Sequence, residues 1–92
     1  MTYNVIYVRE VKNVDIPKLS SPVRDKIKKA IEQKLMSSPE QFAKPLRRSL
    51  KGYRKLRVGN FRVVFRIEGK TVKIFAIRHR SDVYIEAGKR LA

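Results

Sequence analysis

Basic side chains at alternating positions are the feature of this sequence that is best suited to do chemistry. A strand predicted over residues 53–58 carries Lys55 and Arg57 on one face, and the next strand, predicted over 61–67, places Arg62 beside them. Like charges on neighbouring strands repel each other. Arginine presents a planar pair of donors that fits two phosphate oxygens. The pattern predicts a phosphate-binding face; a solvated strand face is the alternative.

Side chains near the end of the last predicted strand extend this face. Arg78 and Arg80 lie there, and Tyr84 falls in the first turn of the following helix. A phenol beside several cations is suited to take a proton or to hold a substrate oxygen, whereas a lone tyrosine more commonly packs its ring on a sheet. His79 is the one histidine, and its strand phase puts it with Phe75 and Ile77, which favours a structural role.

Composition limits the kinds of partner and site. The 92 residues fit one domain, 1–92, and 23 basic against 8 acidic residues give a formal net charge of +15. Residues 44–80 hold 13 Lys and Arg but a single acidic residue, Glu68. Such a field favours a polyanion: nucleic acid, an anionic membrane surface or an acidic protein.

Several site classes and locations are excluded or disfavoured. There is no cysteine, so a disulfide framework and a cysteine zinc site are excluded. One histidine and one carboxylate in the basic stretch disfavour a metal-dependent nuclease, and no cofactor is expected. The longest apolar run, residues 74–77, is too short for a membrane span or a secretory signal, so we expect a cytoplasmic protein with no membrane partner.

The elements that must position these side chains follow from periodicity. Residues 2–8 read as a strand apolar on both faces, and residues 11–19 as short helical turns. A helix over 22–36, with Ser21 as its N-cap, has one apolar face, made by Val23, Ile27, Ala30, Ile31 and Leu35. Three hairpin strands and a helix to Leu91 follow. We expect an α+β fold: an antiparallel four-stranded sheet with two N-terminal helices on one face and a C-terminal helix.

Two segments of the chain resemble the RelE/ParE superfamily of bacterial and archaeal toxins. They read LKGYRKLRVGNFRVVF over residues 50–65 and RHRSDVY over 78–84. The resemblance implies a RelE-like, microbial-ribonuclease-like fold and a type II toxin that cuts mRNA in the decoding site of the ribosome. It also implies an acidic RelB-like antitoxin, which we expect to cover the sheet or to displace the last helix.

The resemblance also carries individual residues across. Lys55, Arg62, Arg78 and Tyr84 match the catalytic lysine, the two arginines and the tyrosine of RelE. RelE has a further lysine two residues before the one matched by Lys55; Tyr53 stands there in this chain. Either Tyr84 or Lys55 is therefore expected to take the proton of the 2′-hydroxyl. Contacts to RNA are expected from six further basic residues: Arg47, Arg48, Lys51, Arg54, Arg57 and Arg80.

Three other functions fit parts of the same pattern. A ParE-like toxin would bind and inhibit DNA gyrase without cutting anything, and a degenerate RelE homologue would have lost activity along with the missing lysine. A plain RNA-binding module would need aromatic rings on the basic face, but Phe61 and Phe65 are predicted on the core face.

Overall fold

A computed structural model of the chain describes residues 2–46 and 50–91. Its strands are β1 (Asn4–Tyr7), β2 (Lys44–Pro45), β3 (Arg54–Val58), β4 (Phe61–Glu68) and β5 (Thr71–His79). Its α-helices are α1 (Ser21–Ala30), α2 (Pro39–Phe42) and α3 (Val83–Leu91). Two helical turns, Val11–Asp15 and Ile16–Lys18, precede α1, and a wider helical turn, Ile31–Leu35, continues it.

The predicted α+β fold is confirmed, but the sheet has five strands rather than four and is not wholly antiparallel. The strand order is β1-β5-β4-β3-β2, and β1 pairs in parallel with β5, from Asn4 opposite Thr71 to Tyr7 opposite Ile74. Alternation in a sequence gives the faces of a strand but not its partner, so the sequence pattern does not determine where β1 joins the sheet. The fifth strand, β2, is a two-residue pairing with β3, in the segment between the long helix and the hairpin strands, where the sequence analysis predicts no strand.

Strand β1 is covered on one face only, which corrects the prediction of burial on both. Val5 and Tyr7 pack on the core under α1, whereas Ile6 is 47% exposed. Because β1 is the outer strand of the sheet, it has fewer neighbours from which to gain cover. Helix α1 begins at Ser21, with Ser20 as the capping residue and Pro22 in the first turn. The N-cap therefore lies one residue before the predicted one.

Two hydrophobic layers lie on opposite faces of the sheet. The predicted apolar stripe of the long helix is confirmed, because Ile27, Ile31 and Leu35 are buried against strand residues that include Val63 and Phe65. On the other face, α3 packs Val83 and Ala87 onto Val64 and Ala76. That face also carries the basic side chains, so α3 and the cations share one side of the sheet.

A β-bulge changes the phase of β5 partway along its length. Val64 pairs with Ala76 and Phe65 pairs with Ile74, so Phe75 has no partner in the register. Its ring packs edge-on to Tyr53, with centroids 4.9 Å apart, beside the α3 layer. The prediction that Phe75 shares a face with Ile77 and His79 is therefore wrong. Beyond the bulge, Ile77 returns to the core under α1.

A buried carboxylate holds three elements together at the end of β5. Asp15 is 2% exposed, and its side chain accepts a hydrogen bond of 2.9 Å from the Ile77 backbone N–H. Arg90 of α3 donates to both carboxylate oxygens, at 2.8 and 2.7 Å, and to the Phe75 carbonyl at 2.9 Å. Hydrogen bonding to Asp15 raises the pKa of Arg90, while burial acts in the opposite direction. Nothing in the sequence pattern singled out Asp15.

We expect Asp15→Ala to lower the free energy of unfolding by about 3–5 kcal/mol, because it leaves the buried Arg90 guanidinium without its partner. Asp15→Asn keeps an acceptor for the Ile77 N–H and should lose less. Urea unfolding followed by circular dichroism measures both. The control is Asp25→Ala, since Asp25 is exposed on α1; equal losses for the two alanine variants would contradict a special role for the buried carboxylate.

Candidate nucleic-acid interface

Three arginines form a row across the three central strands of the sheet, each one residue from the end of its strand. Arg57 of β3 is the register partner of Arg62 of β4, and Arg62 is in turn the partner of Arg78 of β5. Lys55 lies two residues from Arg57 on the same face of β3, opposite Lys44 of β2. The predicted grouping of Lys55, Arg57 and Arg62 on one face is what the structure shows.

The basic side chains of β2, β3 and β4 line a cleft of about 230 Å³ together with one aromatic ring. We call it the cationic cleft; its residues are Phe42, Lys44, Lys55, Arg57 and Arg62. Among its described lining residues there is no carboxylate. Four cations around a common space, without an acidic partner, can bind phosphate groups of a polyanion.

Arg62 is held at the β3–β4 hairpin. Its guanidinium donates to the carbonyls of Gly59, at 3.0 Å, and Phe61, at 2.9 Å. Gly59 has a φ of +59°, a left-handed conformation that glycine adopts without a Cβ clash and that the two-residue turn requires. The turn thus holds one terminal nitrogen of the Arg62 guanidinium, and Nε and the other terminal nitrogen can donate to a ligand.

Tyr84 lies beside the cleft. It stands in the first turn of α3, which the packing of Val83 against Val64 and Ala76 holds in place. Its ring packs at the edge of the same hydrophobic layer. The Lys55 ammonium is 5.6 Å from the centroid of that ring. The structural and functional interpretations of Tyr84 are therefore compatible, because the ring packs while the residue still neighbours a cleft cation.

Arg78 differs from the other predicted catalytic residues, because its guanidinium is committed to carboxylates. Nε and an Nη atom donate to Asp82 at 2.9 and 2.8 Å, and the second Nη lies 3.3 Å from Asp15. The hydrogen bond to Asp82 raises the pKa of Arg78, outweighing the effect of burial. The structure thus brings together Lys55, Arg62 and Tyr84, and keeps Arg78 adjacent in the sheet but paired elsewhere.

The residues predicted to contact RNA are divided in the structure. Arg57 lines the cationic cleft, whereas Arg54 lies on the opposite face of β3 and donates to the Ala43 carbonyl at 3.3 Å. Lys51 and Arg80 are exposed in turns, one before β3 and one before α3. Arg47 and Arg48 lie outside the described residues. Period-2 alternation explains why Arg54 and Arg57 face opposite sides.

His79 has contacts of a structural kind. Its ring meets Phe61 edge-on, with 5.8 Å between centroids. Nδ1 accepts a hydrogen bond from the Ser81 backbone N–H at 3.1 Å and lies 2.9 Å from the Ser81 hydroxyl oxygen. These contacts shape the turn that leads into α3.

Some residues of this surface were missed by the sequence analysis. Phe42 and Lys44 fall between the predicted long helix and the predicted hairpin strands, where the sequence analysis assigns no element, yet α2 and β2 place them in the cleft wall. Lys26, Lys29 and Lys34 come from α1 and its continuation, and with Arg57 they line a second groove of about 320 Å³. The sequence contains one signal for this contact: an aromatic residue, Phe42, lies two positions before Lys44, where the basic stretch begins.

Two properties of the described residues concern other kinds of site. Within residues 2–46 and 50–91, no three histidine or acidic side chains come together as ligands for a metal ion. In the same ranges, none of the helices combines the length and the apolar character that crossing a bilayer requires.

Comparisons with known proteins agree with the fold. The family model described as the ParE toxin of the type II toxin–antitoxin system parDE matches residues 12–84. The mRNA interferase toxin RelE of Escherichia coli is 38% identical over 79 residues, which cover 80% of this chain and 82% of that protein.

Two solved structures are similar over most of their length. A crystal structure of a RelBE toxin–antitoxin complex from Mycobacterium tuberculosis matches with a TM-score of 0.77 and 29% identity, over 87% of this chain and all of that one. An arginine-to-alanine double mutant of E. coli RelE in the free state matches with a TM-score of 0.74 and 27% identity, over the whole of both chains. The predicted RelE-like fold is confirmed.

We expect Arg57→Gln to raise the free energy of unfolding by about 0.5 kcal/mol in low salt, because it removes one of two like charges that face each other across β3 and β4. The gain should shrink in about 1 M salt, where charges are screened. Chemical unfolding at two salt concentrations measures it. Lys12→Gln, an exposed lysine outside the row, is the control; a loss of stability on removing Arg57 would contradict the repulsion.

Proposed function

Because this chain belongs to the RelE/ParE superfamily of type II toxin–antitoxin toxins, we propose that it is a ribosome-dependent endoribonuclease that cleaves mRNA and so inhibits translation. One observation carries the proposal: Lys55, Arg57 and Arg62 line a cationic cleft beside Tyr84, in a chain 38% identical to an mRNA interferase. The cleft suits a phosphodiester, and an RNA strand supplies phosphates in series.

The proposed reaction is an in-line attack by the 2′-hydroxyl on the neighbouring phosphate. The bond from the 2′ oxygen to phosphorus forms as the bond to the 5′ oxygen breaks, which gives a 2′,3′-cyclic phosphate and a 5′-hydroxyl. One group must take the 2′ proton, another must stabilise the added negative charge, and a third must serve the leaving oxygen. No metal ion is assigned a step in this scheme.

The cleft residues can be given these tasks. Arg62 and Lys55 stabilise the charge on the phosphorane, and Tyr84 or Lys55 takes the 2′ proton. Arg78 stabilises the negative charge on the leaving 5′ oxygen, because its raised pKa keeps its own proton in place. The 5′ oxygen takes its proton from solvent water, which gives the 5′-hydroxyl. To reach that oxygen, the Arg78 guanidinium must loosen its bonds to Asp82.

The ribosome supplies what the cleft lacks. The described cleft lining contains no histidine or carboxylate that would serve as a strong general base, so the rate depends on how well the 2′-hydroxyl is aligned with the phosphate. An mRNA held in the decoding site is aligned in advance. The net charge of +15 favours docking on ribosomal RNA, with an affinity that falls steeply as salt rises.

An acidic RelB-like antitoxin is the proposed inhibitor. The similarity to a RelBE toxin–antitoxin complex supports a protein partner, and the cationic cleft favours one with acidic side chains. A segment that lies across the cleft would prevent RNA from entering. A segment that displaces α3 would separate Tyr84 from Lys55.

A second candidate is a toxin that binds and inhibits DNA gyrase, because the matching family model is described as the ParE toxin. The two candidates separate in a pair of assays on the purified chain. Primer extension on translated mRNA detects new 5′ ends, and a supercoiling assay detects gyrase inhibition. Cleavage without gyrase inhibition is the expected result; the reverse would replace the first proposal by the second.

We expect Arg62→Ala and Lys55→Ala each to lower the single-turnover rate of mRNA cleavage on programmed ribosomes by about 10²–10³-fold, because each removes a fixed donor to the transition state. Tyr84→Phe should cause a large loss if the phenol takes the proton and a small one if Lys55 does. Primer extension over time measures the rates. Arg9→Ala, an exposed arginine before the first helical turn, is the control; wild-type rates for Arg62→Ala would contradict the assignment.

We expect a single 2′-deoxy nucleotide at the cut to abolish cleavage while leaving the mRNA bound, because the nucleophile is missing. A phosphorothioate at the same phosphate should slow cleavage equally in magnesium and in manganese, since no metal is proposed to touch that phosphate. Continued cutting of the deoxy substrate would remove the 2′-hydroxyl mechanism, and rescue by manganese would remove its metal independence.

A further inference from the structure

Phe42 is an aromatic residue whose ring is left largely uncovered. It is the last residue of α2 and is 46% exposed, although the next residue, Ala43, is buried in the core under α1. The chain therefore anchors at Ala43 and presents Phe42 outward. A half-exposed phenyl ring forgoes much of the stabilisation that its burial would give.

The surroundings of Phe42 distinguish it from other exposed apolar residues. Single exposed hydrophobic side chains are ordinary, and Ile85, at 65%, is more exposed than Phe42. Phe42 alone among the exposed large apolar residues of the described chain lines the cationic cleft, with Lys44, Lys55, Arg57 and Arg62. A ring beside several cations is the combination with which single-stranded nucleic acid is bound: the cations hold phosphates and the ring stacks on a base.

We propose that Phe42 is the stacking wall of the cleft, on which a base of the bound RNA strand packs while Lys55, Arg57 and Arg62 hold its phosphates. This inference rests on the proposed function, because it gives that function's substrate a second point of contact. Phe61 and Phe65 pack in the core under α1, as predicted, and the aromatic ring of the cleft comes from α2 instead.

Lys34, which does not line the cleft, occupies one face of the Phe42 ring. The Lys34 ammonium lies 5.9 Å from the ring centroid, over one face. The base therefore stacks on the other face, and Lys34 adds positive charge close to the sugar–phosphate backbone. Because every base has an aromatic face, this contact adds affinity and orientation and does not select one codon over another.

The test uses a short single-stranded RNA in its 2′-O-methyl form, which cannot be cut, with one 2-aminopurine whose fluorescence falls when it stacks. Phe42→Ala and Phe42→Leu remove the ring, and Leu keeps apolar bulk. Phe42→Tyr keeps the ring, and Ile85→Ala removes an exposed apolar side chain elsewhere. Thermal unfolding of each variant checks that the fold is retained.

We expect Phe42→Leu and Phe42→Ala to weaken binding by about tenfold and to abolish the quenching, because stacking on one ring is lost. Phe42→Tyr and Ile85→Ala should bind and quench like the parent chain. On programmed ribosomes, the same two ring-less variants should lower kcat/KM for mRNA cleavage by about as much as they weaken binding.

Several results would overturn the inference. One is unchanged quenching and affinity in Phe42→Leu, and another is a parent chain that neither binds nor quenches the RNA. A third is a loss that affects binding of an acidic peptide but not of the RNA, which would assign Phe42 to a protein interface. If the parent chain quenches the probe through Phe42 yet cuts no mRNA, the stacking wall stands and the proposed nuclease function fails.

Discussion

The buried carboxylate of Asp15 is the interaction on which the rest of the structure depends. Beyond Ile74, strand β5 has no pairing with β1, and the buried Ile77 N–H donates to Asp15 instead of to a neighbouring strand at that edge. The same carboxylate holds Arg90 at the end of α3, so the helix that carries Tyr84 is tied to the sheet at its far end. A buried ion pair adds little net stability over an apolar contact, but losing one partner is severe. Its role is to fix where α3 lies.

Asp15 also connects the core to the surface chemistry. Its remaining contact is Arg78, which Asp82 holds from the solvent side. Arg78 is therefore positioned by one buried and one half-exposed carboxylate, and only the outer one can be exchanged for a phosphate without disturbing the core. Arg57 and Arg62, by contrast, face each other in a cleft whose described lining residues include no acidic side chain. Arg57 and Arg62 therefore repel each other in the cationic cleft, and a bound polyanion would reduce that repulsion.

The parts of the fold and the site that were predictable from the sequence are those set by local periodicity. Alternation placed Lys55, Arg57 and Arg62 together, and helical spacing found Ile27, Ile31 and Leu35 as the face of the long helix. Features that depend on contacts between distant parts of the chain could not be predicted in this way.

Partner choice, phase shifts and long-range side-chain pairs depend on the folded chain. The parallel pairing of β1 with β5 joins residues far apart in sequence, and the bulge turns Phe75 to the opposite face by one unpaired residue. Arg78 was grouped with the cleft because its strand phase is right, but Asp15 lies 63 residues away, so no local pattern could reveal that partner. Phe42 sits in a four-residue helix whose sequence has no periodic signal.

The topology also dictates the order in which this protein can assemble. Strands β3, β4 and β5 are joined by tight turns, so each can pair with the preceding strand as soon as it is synthesised. Tyr7 of β1, by contrast, pairs with Ile74, and Asp15 binds Arg90, which follows it by 75 residues. During synthesis, the first strand therefore lacks its partner until β5 is made, and the Asp15–Arg90 ion pair forms later still. Because α3 follows β5 in the chain, the surroundings of Tyr84 are completed only after all five strands of the sheet have been made.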